Sequence, residues 1–206
     1  MITIIDYGMG NLGSIQNMLK RLGAESLITS KPDDLQRAEK IILPGVGSFD
    51  QGIKNLNDYK LKDALDKAIL EKRTPILGIC LGMQLMGRFS QEGALTGLGW
   101  IDAEAVRFDS AKLAALKLKI PHMGWNFIKK TKDSALWKSL DDTARFYFLH
   151  SYHMVCREPQ DPAAMTHHGY DFVSSVERGN IFGVQFHPEK SHKFGLALFK
   201  NFIDLS

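Results

Sequence analysis

Cys80 stands in the run Gly78-Ile79-Cys80-Leu81-Gly82, a G-x-nucleophile-x-G form that follows an apolar stretch and precedes the helical spacing Leu81, Gln84, Leu85. Small residues on both sides let the backbone turn sharply at a strand end, and the start of a helix favours negative charge. Those conditions lower a thiol from its ordinary pKa of about 8.5 and predict a thiolate nucleophile. A cysteine nucleophile needs a base, and the base needs an orienting group. Phe186-His187-Pro188-Glu189 offers both: in an extended segment residues i and i+2 share a face, so Glu189 can hold His187. The third feature is Pro44-Gly45-Val46-Gly47-Ser48, whose glycines allow backbone conformations in which peptide N–H groups point at a developing oxyanion. Cys156, between Val155 and Arg157 with no elbow glycines, reads as a structural thiol.

These residues must be positioned by the elements around them. Ile2 to Ile5 reads as a buried strand closed by Asp6 and a glycine-rich turn. Ile15, Met18, Leu19 and Leu22 then follow at helical spacing, with Gly23 where a helix ends. A second strand covers Ile41 to Leu43, a helix carries Leu61, Leu65, Ala68 and Ile69, and a third strand, Pro75 to Ile79, delivers Cys80. This alternation predicts a mostly parallel sheet with helices on its faces. Beyond Gly99 the pattern changes to short β-like runs, Ala103 to Phe108, Asn126 to Lys130, Phe146 to Leu149, Phe172 to Val176 and Ile181 to Gln185, which predict an antiparallel or mixed extension. The last of these runs would present His187 at a strand end near the elbow. Gly195, Leu198, Phe199, Phe202 and Ile203 close the chain as a helix docked on the sheet.

Composition narrows the class of partner. The chain has 206 residues, 44% apolar and 24% charged, with 26 Lys plus Arg against 23 Asp plus Glu, a net charge of +3. That length fits one domain over residues 1–206, and so weak a net charge gives no argument for nucleic acid or an anionic membrane as the partner, neither of which is expected. Lys112, Lys117, Lys119, Lys129, Lys130 and Lys132 read as a solvated face. No apolar run reaches the roughly 20 residues of a membrane helix, and the opening lacks the pattern of a signal peptide. Two cysteines are too few for a disulfide framework, which fits the expectation of a reducing cytoplasm. His150-x-x-His153 and His167-His168 have no Cys or carboxylate cluster to complete a ligand set, so no metal and no cofactor is expected.

Taken together, GICLGMQ around Cys80, FHPEKS around His187 and PGVG after the second strand resemble the class I (triad) glutamine amidotransferase family. Asp6 to Leu12, Pro121 to Asn126 and Tyr147 to Tyr152 resemble the branch that serves histidine biosynthesis, and the likeness spans essentially the whole chain. The resemblance implies an α/β, three-layer, flavodoxin-like fold, with L-glutamine as substrate. It implies that Cys80 attacks the glutamine amide, His187 shuttles the proton and Glu189 orients His187. Leu81, with Val46 and Gly47, would hold the oxyanion, and Gln84, Glu92, His150, Ser151 and Tyr152 would hold the glutamine. Asn11, Trp125 and Lys190 match positions near a (β/α)8-barrel cyclase subunit, the heterodimer partner that would consume the ammonia. Paralogues in the family supply ammonia to other synthases, including those that amidinate surface-polysaccharide sugars. A cysteine peptidase of the same sheet architecture would share the elbow, but HPE after a strand and PGVG speak against it.

Overall fold

The computed structural model describes residues 1–205. Its first half is built from β1 (Ile2–Ile5), α1 (Leu12–Arg21), β2 (Ser26–Thr29), β3 (Lys40–Leu43), α2 (Phe49–Asp58), α3 (Leu61–Asp66), β4 (Ile76–Ile79) and α4 (Leu81–Leu85). The second half contains β5 (Phe89–Ser90), β6 (Ala103–Arg107), α5 (Ser110–Ala115), β7 (His122–Phe127), β8 (Lys129–Lys130) and β9 (Arg145–His150). It ends with β10 (Tyr152–Cys156), β11 (Pro162–His167), β12 (Asp171–Arg178), β13 (Ile181–Val184) and α6 (His192–Ile203).

Five parallel strands lie in the order β2-β1-β3-β4-β13, and β12 then joins β13 antiparallel. That is the 2-1-3-4-5 order of doubly wound flavodoxin-like sheets, with β13 as the fifth strand. The sheet continues through β12, β10, β6 and β5, with β11 and β8 branching from β12, and all these pairs except β5 with β6 are antiparallel. The mostly parallel sheet and its antiparallel extension are therefore both present. β7 and β9 form a separate two-stranded antiparallel ribbon.

Strand residues alternate between two cores, as period-two side chains must. Ile2, Ile4, Ile42, Leu77, Ile79, Phe182 and Val184 pack on the side of α1 and α6. Ile5, Ile41, Leu43, Ile76 and Ile181 pack on the side of α2, α3 and α4, completing three layers. Each such apolar side chain contributes about 1.5–3 kcal/mol by leaving water. No helix among the described residues is long and apolar enough to cross a membrane.

The structure departs from the sequence reading in several places. β2 and α2 stand in the stretches left between the first helix and the third strand, and β10 and β11 are further strands of the extension. The run from Asn126 to Lys130 is not one strand: β7 ends at Phe127 and β8 pairs instead with β11, with Ile128 turned into the core between them. The helix over Leu61 to Ile69 changes at Lys67 into a π-helical turn to Glu71. Two lysines of the basic bias are not merely solvated. Lys130 Nζ donates to the Leu140 carbonyl at 2.5 Å, and Lys132 Nζ donates to the carbonyls of Gln160 and Glu177, each at 2.7 Å.

Candidate active site

Cys80 occupies the turn between β4 and α4 with φ +55° and ψ −109°, a left-handed conformation that a side-chain-bearing residue adopts only when its surroundings impose it. Three contacts impose it. The Cys80 N–H donates to the Val184 carbonyl of β13 at 2.8 Å, and its own carbonyl accepts from the N–H groups of Met83 and Gln84 at 3.1 and 3.2 Å. The glycines beside it are required by close approach: a methyl group on Gly82 would overlap the Leu43 carbonyl, and one on Gly78 would lie 2.8 Å from the Gly82 oxygen. The thiol is 7% exposed and faces a cleft.

β13 runs parallel to β4 with Val184 opposite Ile79, so the chain leaving β13 passes directly beside the elbow. His187 is held there by its N–H, which donates to the Tyr147 carbonyl of β9 at 2.8 Å, and by its carbonyl, which accepts from Ser191 Oγ at 2.6 Å. Glu189 does meet His187, but not by sharing the face of an extended segment. Pro188 to Lys190 form a 3-10 turn, and that turn brings Glu189 Oε1 to 2.8 Å from His187 Nδ1, with both side chains 2% exposed. A carboxylate can only accept, so Nδ1 carries a proton in either charge state of the ring and Nε2 is left for Cys80. Burial opposes charge on His187, but the neighbouring Cys80 and then the hydrogen-bonded Glu189 outweigh it and hold its pKa up at about 10. A histidine held protonated beside a sulfur can balance a thiolate.

The Pro44-to-Ser48 loop lies against the elbow. A methyl group on Gly45 would stand 2.7 Å from the Tyr7 hydroxyl and 2.8 Å from the Gly82 nitrogen, so only glycine permits the contact. Tyr7 Oη donates to the Pro44 carbonyl at 2.6 Å, and burial, then the nearby Cys80, push its phenol pKa upward. Gly47 has φ +113°, and Val46 and Gly47 are exposed at the cleft mouth.

The cleft measures about 310 Å³. Cys80, His187, Leu81, Val46, Gly47, Gln84, Glu92, His150, Ser151, Tyr152 and Lys190 all line it, and Pro121 and Leu149 complete the wall. Glu189 stands behind His187 rather than in the wall. Gln84 Nε2 donates to the Tyr152 carbonyl and to Gln185 Oε1, at 3.1 and 3.0 Å, so both its protons are spent inside the protein and only its carbonyl is left to meet a ligand. Glu92 accepts the Phe49 N–H at 2.8 Å with one oxygen, fixing the start of α2. His150 is bound at both ring nitrogens, to the Tyr152 carbonyl at 2.8 Å and to His122 Nδ1 at 3.0 Å. Burial drives the pKa of His150 well down and that of His122 to about 4, so this pair is neutral.

Of the residues expected at a partner surface, Asn11 is exposed at the start of α1, away from the cleft wall. Trp125 lies on the outer face of the β7–β9 ribbon, 44% exposed, stacked on His192 with ring centroids 5.4 Å apart. Lys190 sits at the cleft rim, its Nζ 5.8 Å from the Tyr147 ring centroid. The sequence reading assigned no role to Gln185 or Tyr7. Gln185 touches the Cys80 sulfur from 105 positions away, a separation no local pattern spans. No group of three or more His, Cys, Asp or Glu among the described residues could hold a metal ion.

The chain is similar to known proteins over nearly its whole length. The family model for glutamine amidotransferase class-I matches residues 3–205. The chain is 50% identical over 203 residues to the imidazole glycerol phosphate synthase subunit HisH 2 of Methanococcus maripaludis, covering 98% of each chain. It is 47% identical over 205 residues to the subunit of the same description from Pseudomonas aeruginosa, covering 100% of both. A solved structure described as a glutamine amidotransferase superposes with a TM-score of 0.74 at 19% identity, over 99% of this chain and 98% of that one, which shows the shared fold.

Proposed function

The chain belongs to the class I glutamine amidotransferase family, and from that membership we propose that it is the glutaminase subunit of an imidazole glycerol phosphate synthase. It converts L-glutamine and water to glutamate and ammonia and passes the ammonia to a cyclase subunit in the cytoplasm. The observation that carries the reading is the elbow cysteine Cys80 beside His187, whose Nδ1 lies 2.8 Å from the buried Glu189 carboxylate.

The chemistry follows from where the protons sit. His187 holds the proton and Cys80 attacks the amide carbon as the thiolate, forming a tetrahedral intermediate. The Leu81 N–H, freed at the start of α4, and a peptide N–H of the Val46 to Gly47 segment stabilise its oxyanion. Collapse breaks the C–N bond as His187 gives its proton to the nitrogen, releasing ammonia and leaving a glutamyl thioester on Cys80. Water, deprotonated by the now neutral His187, attacks the thioester, and glutamate leaves with the thiolate restored. Glu189 keeps His187 in one tautomer through both steps. Gln84, Glu92, Ser151 and Tyr152 hold the amino acid end of the glutamine, and His150 shapes the wall through its buried bonds.

Ammonia released into neutral water is protonated and loses its nucleophilicity, so a consuming subunit must dock over the cleft. Asn11, Trp125 and Lys190 form part of that docking surface. The test is glutamate release from glutamine by this chain, alone and with the cyclase subunit and its nucleotide ligand, with Cys80→Ala as control. Hydrolysis stimulated by the cyclase and absent in Cys80→Ala is the expected result. Hydrolysis that survives in Cys80→Ala removes the triad, and hydrolysis indifferent to the cyclase removes the partner.

A further inference from the structure

Gln185 is fully buried, directly after β13, and its side chain lies between two groups of the cleft. Its Nε2 is 3.7 Å from Cys80 Sγ, and its Oε1 is 3.0 Å from Gln84 Nε2. The orientation of both amides can be deduced from an atom that cannot donate. The Tyr152 carbonyl is an obligate acceptor, so the Gln84 atom 3.1 Å from it must be the NH₂ group. The other proton of that NH₂ then points at Gln185, which must answer with its oxygen. The Gln185 NH₂ group is thereby turned to the sulfur, and no flip of either amide satisfies all three contacts.

We propose that Gln185 is a positioning residue of the reaction: it donates an N–H to the Cys80 sulfur, favours the thiolate over the thiol and aims it into the cleft. The proposal rests on Cys80 being the nucleophile. A thiol can donate to the Leu149 carbonyl, 3.9 Å from Sγ, whereas a thiolate can only accept. The two neighbours therefore weight the protonation states of the same sulfur in opposite directions: Leu149 gains a hydrogen bond only from the thiol, whereas the Gln185 N–H, which either form accepts, is bound more strongly by the thiolate. The titratable groups facing the sulfur are His187 from the turn after β13 and Tyr7 from the loop after β1, with Glu189 behind His187. None of them replaces a lost amide donor, because His187 already faces the sulfur and Tyr7 Oη is bound to Pro44.

The experiment compares alkylation of Cys80 by iodoacetamide across pH in the unsubstituted protein and in Gln185→Met, which keeps the volume and removes both hydrogen bonds. Alkylation at neutral pH slows roughly tenfold, and the deficit closes at alkaline pH, where the thiolate forms without help. In the complex with the cyclase, kcat for glutamate release falls by a similar factor, and a rise in KM for glutamine reads the separately lost contact to Gln84. Cys156 does not interfere, since burial, then Asp161, push its thiol up to about 12, and Cys80→Ser gives the background. Gln185→Asn, which withdraws the amide by one methylene, gives the same shift and serves if the methionine variant does not fold. A folded variant, verified by circular dichroism, whose alkylation profile matches the unsubstituted protein overturns the proposal. Alkylation reads Gln185 whatever the substrate, whereas absence of glutamate release from the unsubstituted complex would overturn the glutaminase reading alone.

Discussion

Glu189→Gln isolates the charge of the proposed triad from its shape. The carboxylate accepts from His187 at 2.8 Å with both side chains 2% exposed, and an amide of the same size can offer its carbonyl oxygen in the same place. What is lost is the buried counter-charge to the imidazolium. Removing one partner of a buried pair costs about 3–5 kcal/mol, and a charge-assisted hydrogen bond is roughly twice as strong as a neutral one. Because the amide still accepts the Nδ1 proton, the lower end applies, about 3 kcal/mol, or roughly two powers of ten in kcat. KM for glutamine should stay within about twofold, since Glu189 is not part of the cleft wall. The pH profile gives an independent reading. Burial works against charge on His187, and Cys80 and Glu189 together raise its pKa to about 10. With Glu189 neutral, only Cys80 opposes burial, so the alkaline limb of kcat moves down from about 10 toward the ordinary histidine range. The assay is glutamate release in the complex with the cyclase across pH. A variant with kcat within about threefold of the unsubstituted enzyme and an unmoved alkaline limb would refute the reasoning.

Stability should pass through a maximum near the ordinary histidine pKa of about 6.5, for two opposed reasons. His187, raised to about 10, contributes stability that is complete below about 6.5 and is lost as pH rises through about 10. His122, lowered to about 4 by burial and then by His168, contributes stability present above about 6.5 and lost as pH falls through about 4. His150 and His153 are shifted in the same direction as His122. Chemical denaturation midpoints measured from acid to alkali should therefore decline on both sides, and a level profile would remove both assignments. Gly82→Ala should cost about 1–3 kcal/mol, roughly 2–12 °C in melting temperature, and abolish glutamine hydrolysis, because the new methyl overlaps a β3 carbonyl that cannot rotate away. Gly13→Ala is the contrast: it lies in α1 with nothing within 4 Å, so calorimetry should show a gain of about 0.4–1 kcal/mol.

The elbow was legible in the sequence because its requirements are local. A sharp turn from strand to helix needs small residues two positions either side of Cys80, and the overlaps at Gly78 and Gly82 show why. The pairing of His187 with Glu189 was legible for a related reason, but its geometry was not: Pro188 fits both an extended chain and the first residue of a helical turn, and only tertiary contacts decide between them. α2 carries Phe49, Gly52, Ile53 and Leu56 at helical spacing, yet Gly52 within it weakens the signal. Gly52 faces Leu85 at 3.1 Å, so its small size serves packing between helices. β2 is an edge strand, half-buried at three of four positions, and so lacks the continuous apolar run of β1 and β4.

What no local window reports is the arrival of β13 beside β4. The fifth parallel strand is separated from the fourth by about half the chain, and its register sets everything on the base side of the cleft. Adjacent strands lie about 4.8 Å apart, so the neighbouring ends of β4 and β13 bring the proposed nucleophile and the proposed base close together. The two are nevertheless anchored differently. The Cys80 N–H is tied to Val184 within the sheet, whereas the His187 N–H is tied to Tyr147 of the ribbon, and Ser191 Oγ, which caps the His187 carbonyl, also accepts the Tyr147 N–H at 3.0 Å. His187 therefore belongs to two elements at once, the parallel sheet and a two-stranded ribbon whose outer face carries the exposed Met123, Trp125 and Phe127. Any load placed on that apolar face reaches the backbone of His187 through Tyr147, directly and by way of Ser191, while the backbone of Cys80 is tied only within the sheet and its own helix.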